Sequence, residues 1–149
     1  MAVHPSQTIL IVEDSDDDFF ATMRAFIRAK LVNPVRRCTN GDQALDYLLQ
    51  RGEFSASDAP RPGMILLDLN LPGTDGREVL RAIKADAELL KIPVIVLTTS
   101  GVGHDIEWCY AAGANSYMQK PVDFEGFFRA IERLKEYWLD TSLLPVTCK

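Results

Sequence analysis

A chain of 149 residues with 47% apolar and 25% charged side chains has the length of one domain and the balance of a globular protein, which excludes a disordered or fibrous one. A formal net charge of -5 speaks against direct nucleic-acid binding, because grip on a phosphate backbone rests on Lys and Arg displacing counterions. No stretch approaches a membrane span, and Met1 to Gln7 has neither the basic start nor the apolar centre of a secretory signal, so a cytoplasmic protein is expected.

Thr8 to Val12 is β-branched and apolar and reads as a strand, after which the chain turns abruptly acidic at Glu13-Asp14-Ser15-Asp16-Asp17-Asp18. Ser15 or Asp16 suits the N-cap of a following helix, and Asp16 to Asp18 its first turn, where acids complement the helix dipole. Glu13 and Asp14 lie at the strand tip instead. Adjacent carboxylates there repel unless a cation sits between them, so they read as metal ligands. Phe19, Met23 and Phe26, flanked by Phe20 and Ile27, recur at helical spacing, which predicts an amphipathic helix from Asp16 to about Lys30 with its aromatic stripe in the core. Asn33-Pro34 ends it, Val35 to Cys38 forms a second strand, and Asn40-Gly41 precedes a helix with Ala44, Leu45, Leu48 and Leu49 inside. Arg51 to Gly63 is polar, with Gly52, Pro60, Pro62 and Gly63, and is expected to be a long surface loop suited to recognition.

Met64 to Leu67 is an uninterrupted apolar run that ends in the carboxylate of Asp68 and is soon followed by the turn residues Pro72-Gly73, the pattern of a strand covered on both faces. Asp68 thus lies at a strand's carboxyl end, where open α/β sheets bind ligands, although an Asp there also suits a turn. Val79, Leu80 and Ile83 mark a third helix. Val94 to Leu97 is another buried strand, ending in Thr98-Thr99-Ser100-Gly101. Ile106 to Ala112 suits a short helix, Ser116 to Gln119 a last strand leading into Lys120-Pro121, and Phe124, Phe127, Phe128, Ile131, Leu134 and Trp138 the inner face of a closing helix. The domain is expected to span 1–149, with a core of about 8–139 and a tail at 140–149.

Alternating strands and helices imply a parallel sheet with right-handed crossovers, which brings Glu13, Asp14, Asp68, Thr98 and Lys120 to one edge. Three carboxylates suit Mg2+, a hard cation that prefers oxygen. A carboxylate beside such an ion can attack phosphorus to give an acyl phosphate, with Asp68 as the nucleophile and Lys120 and Thr98 stabilising the transferred group.

In this order the motifs resemble the receiver domain of two-component response regulators, over nearly the whole chain. The resemblance implies a flavodoxin-like, doubly wound sheet of five parallel strands ordered 2-1-3-4-5. It implies phosphoryl transfer from a histidine kinase to Asp68, with Mg2+ held by Glu13, Asp14, Asp68 and the Asn70 carbonyl, and a cis Lys120–Pro121 bond. Such a domain is a phosphoacceptor, not an enzyme acting on other molecules. Val12-Glu13-Asp14-Ser15, the long Arg51 to Gly63 loop, Leu67-Asp68-Leu69-Asn70-Leu71-Pro72 and Leu97-Thr98-Thr99-Ser100 are similar to the single-domain regulators paired with bacterial phytochromes. Thr99 and Val122 depart from the Ala and Phe of many receivers.

The main rival is a haloacid-dehalogenase-type phosphatase, which also uses an Asp nucleophile, but such enzymes carry Asp-x-Asp on the first strand. A pseudo-receiver that only docks partners is disfavoured by the complete site. Cys38, Cys109 and Cys148 have no ligand spacing and an odd count, and read as reduced thiols. His4 and His104 stand alone. Tyr137 and Trp138 are adjacent and cannot share one helix face, which points to a homodimer through the fourth helix, fifth strand and fifth helix; the alternative is a tail folded back through Leu143 and Leu144.

Overall fold

The computed structural model describes residues 3–55 and 58–141, with side chains as far as Leu139. Leu143 and Leu144, on which the alternative of a folded-back tail rests, lie outside the described residues, as does Cys148.

Five strands, β1 (Thr8–Val12), β2 (Val35–Cys38), β3 (Pro62–Leu67), β4 (Val94–Thr98) and β5 (Ser116–Gln119), alternate with helices α1 (Asp16–Arg28), α2 (Gly41–Leu49), α3 (Gly76–Ala85), α4 (Gly103–Ala111) and α5 (Phe124–Lys135). Every strand pair is parallel, in the order β2-β1-β3-β4-β5, as the resemblance implies. β1, β3 and β4 are buried at all their positions, which explains why their sequences are apolar apart from Thr8 and Thr98 at their ends.

Strand residues alternate between two cores because successive side chains point to opposite faces. Leu10, Val12, Ile65, Leu67, Val94 and Val96 face Ala44 and Leu48 of α2, Val79, Leu80 and Ile83 of α3, and Cys109 of α4. Ile9, Ile11, Met64, Leu66, Ile95 and Leu97 face Ala25 and Phe26 of α1 and Phe127, Phe128, Ile131 and Leu134 of α5. Each fully buried Leu, Ile or Phe contributes about 1.5–3 kcal/mol. Cys38 and Cys109 are both buried on the first of these faces, and burial pushes the Cys38 thiol up to about 12.

Local capping sets where the helices begin. Ser15 caps α1, accepting from the Asp18 amide at 3.2 Å, and Asn40 caps α2, accepting from the Gln43 amide at 2.7 Å. Gly76 opens α3 so close to the tip of β3 that a Cβ would stand 2.2 Å from the Asp68 carbonyl oxygen, so only glycine lets this helix pack there.

Three boundaries differ from expectation. The long connection ends at Arg61, since Pro62 and Gly63 already pair in β3; Pro is tolerated at a strand's first residue because no earlier donor is needed. It is also tied down, with Tyr47 Oη donating to the Pro60 carbonyl at 2.9 Å and Arg36 to the Asp58 carbonyl at 2.7 Å. α4 starts three residues earlier than its apolar pattern suggests, at Gly103, because exposed His104 and buried polar Asp105 occupy its first turn. Beyond α5 the chain widens into a π-type segment over Glu136–Thr141.

The Lys120–Pro121 bond is trans, contrary to the implied cis form, as is every peptide bond among the described residues. Trans is the lower-energy isomer of an X–Pro bond by about 0.5–1 kcal/mol. With it the Lys120 amide still donates to the Thr98 carbonyl at 2.7 Å and its side chain reaches the carboxylates described below.

Candidate functional site

The C-terminal tips of β1, β3, β4 and β5 deliver Glu13, Asp68, Thr98 and Lys120 to one place. All four residues are buried, whereas Asp14 is exposed at the rim. The Asp68 amide donates to the Val12 carbonyl at 3.1 Å, which carries the ladder one step past the strand end and fixes the acid beside Glu13. Glu13, Asp14 and Asp68 each offer a carboxylate oxygen, and these oxygens lie within 4.8 Å of one another. Asn70 is exposed next to them, its amide donating to Asp68 Oδ1 at 3.3 Å.

Lys120 Nζ is the counter-charge. It donates to Glu13 Oε1 at 2.5 Å, to Asp18 Oδ2 at 2.8 Å and to Asp68 Oδ2 at 3.2 Å. Burial raises the Glu13 carboxyl to about 7; the Lys120 hydrogen bond opposes this and the nearby Asp68 charge adds to it. Burial pulls on Lys120 in the opposite sense, but its bonds to Asp18 and Glu13 and the charge of Asp68 outweigh it and hold the ammonium above the usual Lys range.

Two features point to ligands. One ammonium faces four carboxylates, those of Glu13, Asp14, Asp18 and Asp68, so negative charge is in excess, and the all-oxygen donor set of the 4.8 Å trio fits a hard divalent cation. Thr98 Oγ1 is buried and has no hydrogen-bond partner. An unsatisfied buried hydroxyl costs about 1–3 kcal/mol, and an arriving oxyanion would relieve it.

Sequence reasoning assigned Asp18 only to the first turn of α1, yet it is a direct partner of Lys120. No local pattern carried this signal, because Asp18 lies in the first turn of α1 and its partner is 102 residues away. Asp16 pairs with Arg37 at 2.8 Å, and Arg37 Nε donates to the Glu13 carbonyl at 3.1 Å. A second network also escaped notice. Ser100 Oγ donates to Asp105 Oδ2 at 2.8 Å, and Arg77 bridges Asp105 at 2.9 Å to Asp75 at 3.1 Å, linking the turn after Thr98 to the start of α3.

The response regulator receiver domain model matches residues 9–132. The chain belongs to that family. This receiver is 38% identical to the response regulator Rcp1 of Synechocystis over 95% of each chain, and 43% identical to the probable methanogenesis regulatory protein FilR2 of Methanothrix harundinacea over 92% of this chain and 86% of that one. Its fold is similar to that of the phosphorylated cyanobacterial phytochrome response regulator RcpA, with a TM-score of 0.88 at 39% identity over 95% of this chain and 99% of that one. It is also similar to the Mn2+-bound form of Rcp1, with a TM-score of 0.87 at 37% identity over 94% of this chain and 99% of that one. The receiver is therefore a two-component response regulator whose acidic cluster suits a divalent metal, and the dehalogenase-type phosphatase reading is not favoured.

Proposed function

We propose that this receiver accepts a phosphoryl group on Asp68 from the phosphohistidine of a bacterial phytochrome kinase. The observation that carries the reading is the placement of Lys120 Nζ between Glu13 and Asp68, on the same sheet edge as the unpartnered Thr98 hydroxyl. An Asp68 carboxylate oxygen attacks phosphorus as the P–N bond to imidazole breaks, and the imidazole, already protonated on its other ring nitrogen, takes the bonding pair and leaves neutral. Lys120 and the Thr98 hydroxyl then hold phosphoryl oxygens, since this transfer is driven mainly by positioning and charge stabilisation. Glu13, Asp14, Asp68 and the Asn70 carbonyl would hold Mg2+, and the chemistry such an ion would supply is positive charge beside the transferred group.

The kinase assignment is supported by the likeness to phytochrome response regulators along nearly the full chain. The receiver core runs from Thr8 to Leu139 and acts in the cytoplasm, processing only its own phosphoryl group. Its output passes through contacts of its own surface, including a homodimer formed by α4, β5 and α5, with Tyr110 of α4 and Tyr137 just beyond α5 about half exposed at 49% and 55%. The net charge of -5 supports a protein partner over nucleic acid.

Intact-mass measurement after incubation with acetyl phosphate and Mg2+ tests the assignment. One phosphate should be gained by the natural chain and none by Asp68→Asn, and a chelator should abolish the gain. Equal labelling of Asp68→Asn would refute it.

A further inference from the structure

Lys120 Nζ carries three N–H groups, and each already has a carboxylate. To reach a phosphoryl oxygen it must release one of them. The three differ in what release costs. The Glu13 and Asp68 side chains are only 6% and 9% exposed, whereas that of Asp18 is 41% exposed. A carboxylate that stays half in water regains hydration when its partner leaves, but a buried one is left unpaired in a poor solvent for charge. Glu13 and Asp68 are further committed with Asp14 to the 4.8 Å oxygen cluster, and Glu13 Oε2 also accepts from the Ser15 amide at 3.3 Å. Asp18 has neither commitment among the described contacts: its carboxylate reaches Lys120 from the first turn of α1.

We infer that Asp18 is the exchange partner of Lys120, a positioning residue that parks the ammonium at the mouth of the site until a phosphoryl oxygen replaces it. The inference rests on Asp68 being the phosphoacceptor. Asp18 acts through Lys120 and opposes an anionic donor in two ways, by adding like charge at the rim and by competing for the ammonium. Exposure and not bond length singles out Asp18, since the Lys120 contact to Asp68 at 3.2 Å is longer than that to Asp18 at 2.8 Å and leaves the attacking carboxylate the least engaged of the three. An Asp that served only the dipole of α1 would affect stability and leave the reaction with small donors untouched.

The experiment measures the apparent second-order rate constant for labelling by acetyl phosphate at saturating Mg2+, in the natural chain, Asp18→Asn and Asp18→Glu, with thermal unfolding as a check on folding. Asp18→Asn should raise the constant about two- to fivefold, the range of a half-exposed ion pair. Asp18→Glu, which restores the charge, should return it to the natural value, and the gap between Asn and Asp should narrow as salt is added. An unchanged or lowered constant in Asp18→Asn, or Asp18→Glu behaving like Asn, overturns the exchange role while Asp68 labelling stands. Failure of the natural chain to label on Asp68 overturns the phosphoacceptor assignment, and the exchange role with it.

Discussion

The Tyr117 hydroxyl donates a 2.8 Å hydrogen bond to the Ser100 carbonyl, tying β5 to the turn that follows Thr98. The same turn is held from its other side, where Ser100 Oγ donates to Asp105 and Asp105 is held by Arg77. Tyr117 is half-buried against the α2–α4 core, and its own amide donates to Tyr110 Oη at 3.1 Å. On the proposed function, a Thr98 hydroxyl drawn toward a phosphoryl group on Asp68 should pull on this turn and so reach Tyr117.

Thr98→Ala should keep Asp68 labelling but lose the phosphorylation-dependent shift in NMR signals around Tyr117. Thr98→Val should do the same while raising the unfolding free energy of the metal-free chain by about 1 kcal/mol, because it removes a buried hydroxyl with no partner. Urea denaturation checks the second statement. Identical phosphorylation-dependent shifts in Thr98→Ala and the natural chain would refute the first.

Lys120→Ala leaves Glu13 and Asp68 buried without their cation, and removing one partner of a buried ion pair costs about 3–5 kcal/mol. Chemical denaturation without metal should show a loss of that order. Added Mg2+ should recover part of it in Lys120→Ala, since a divalent cation compensates the same carboxylates.

The Glu13 carboxyl is held at about 7 in the folded protein against an ordinary 4.5, chiefly by burial. Between those values the folded state binds more protons than the unfolded one, so the contribution of Glu13 to stability falls as pH rises through this window. Metal-free protein should show that negative slope in urea midpoints, and Glu13→Gln should flatten it. Metal binding requires the ionised form, so Mg2+ should raise the melting temperature more at pH 7.5 than at pH 5.5.

Tyr137 is 55% exposed and stands edge-on to Trp138, their ring centroids 5.0 Å apart, while Trp138 packs onto the α1–α5 core. The adjacency noticed in the sequence thus resolves into one ring inside and one outside. Tyr137→Ala should weaken a dimer about tenfold in sedimentation equilibrium, the effect of losing a modest aromatic anchor, with folding unchanged. A natural chain that stays monomeric at high micromolar concentration, phosphorylated or not, would refute the dimer.

The sheet was legible because β1, β3 and β4 are buried on both faces, which confines polar side chains to Thr8 and Thr98 at their ends. β2 and β5 are only partly buried, yet Asn33-Pro34 before one and Lys120-Pro121 after the other bounded them sharply. Glu13, Asp68, Thr98 and Lys120 were found because each ends a strand or follows one directly, so topology alone brings them together. Asp18 was missed because its first-turn position has a sufficient local explanation, and only the reach of a Lys 102 residues away gives it another. The Arg77–Asp105–Ser100 network was hidden for a similar reason: Arg77 and Asp105 lie 28 residues apart on different helices, and no periodicity links them.

Cys38 on β2 and Cys109 on α4 are buried against one core, from opposite ends of the sheet's strand order, and the high position of the Cys38 thiol leaves almost none of it ionised at neutral pH. Neither sulfur can be alkylated until its own part of the domain opens. With Cys148 replaced by Ser, the two thiols become clocks built into the chain: the Cys38 labelling rate counts openings at the β2 margin and the Cys109 rate counts those beneath α4. Comparing the two with and without a phosphoryl group on Asp68 would show which margin of the domain loosens when the signal arrives.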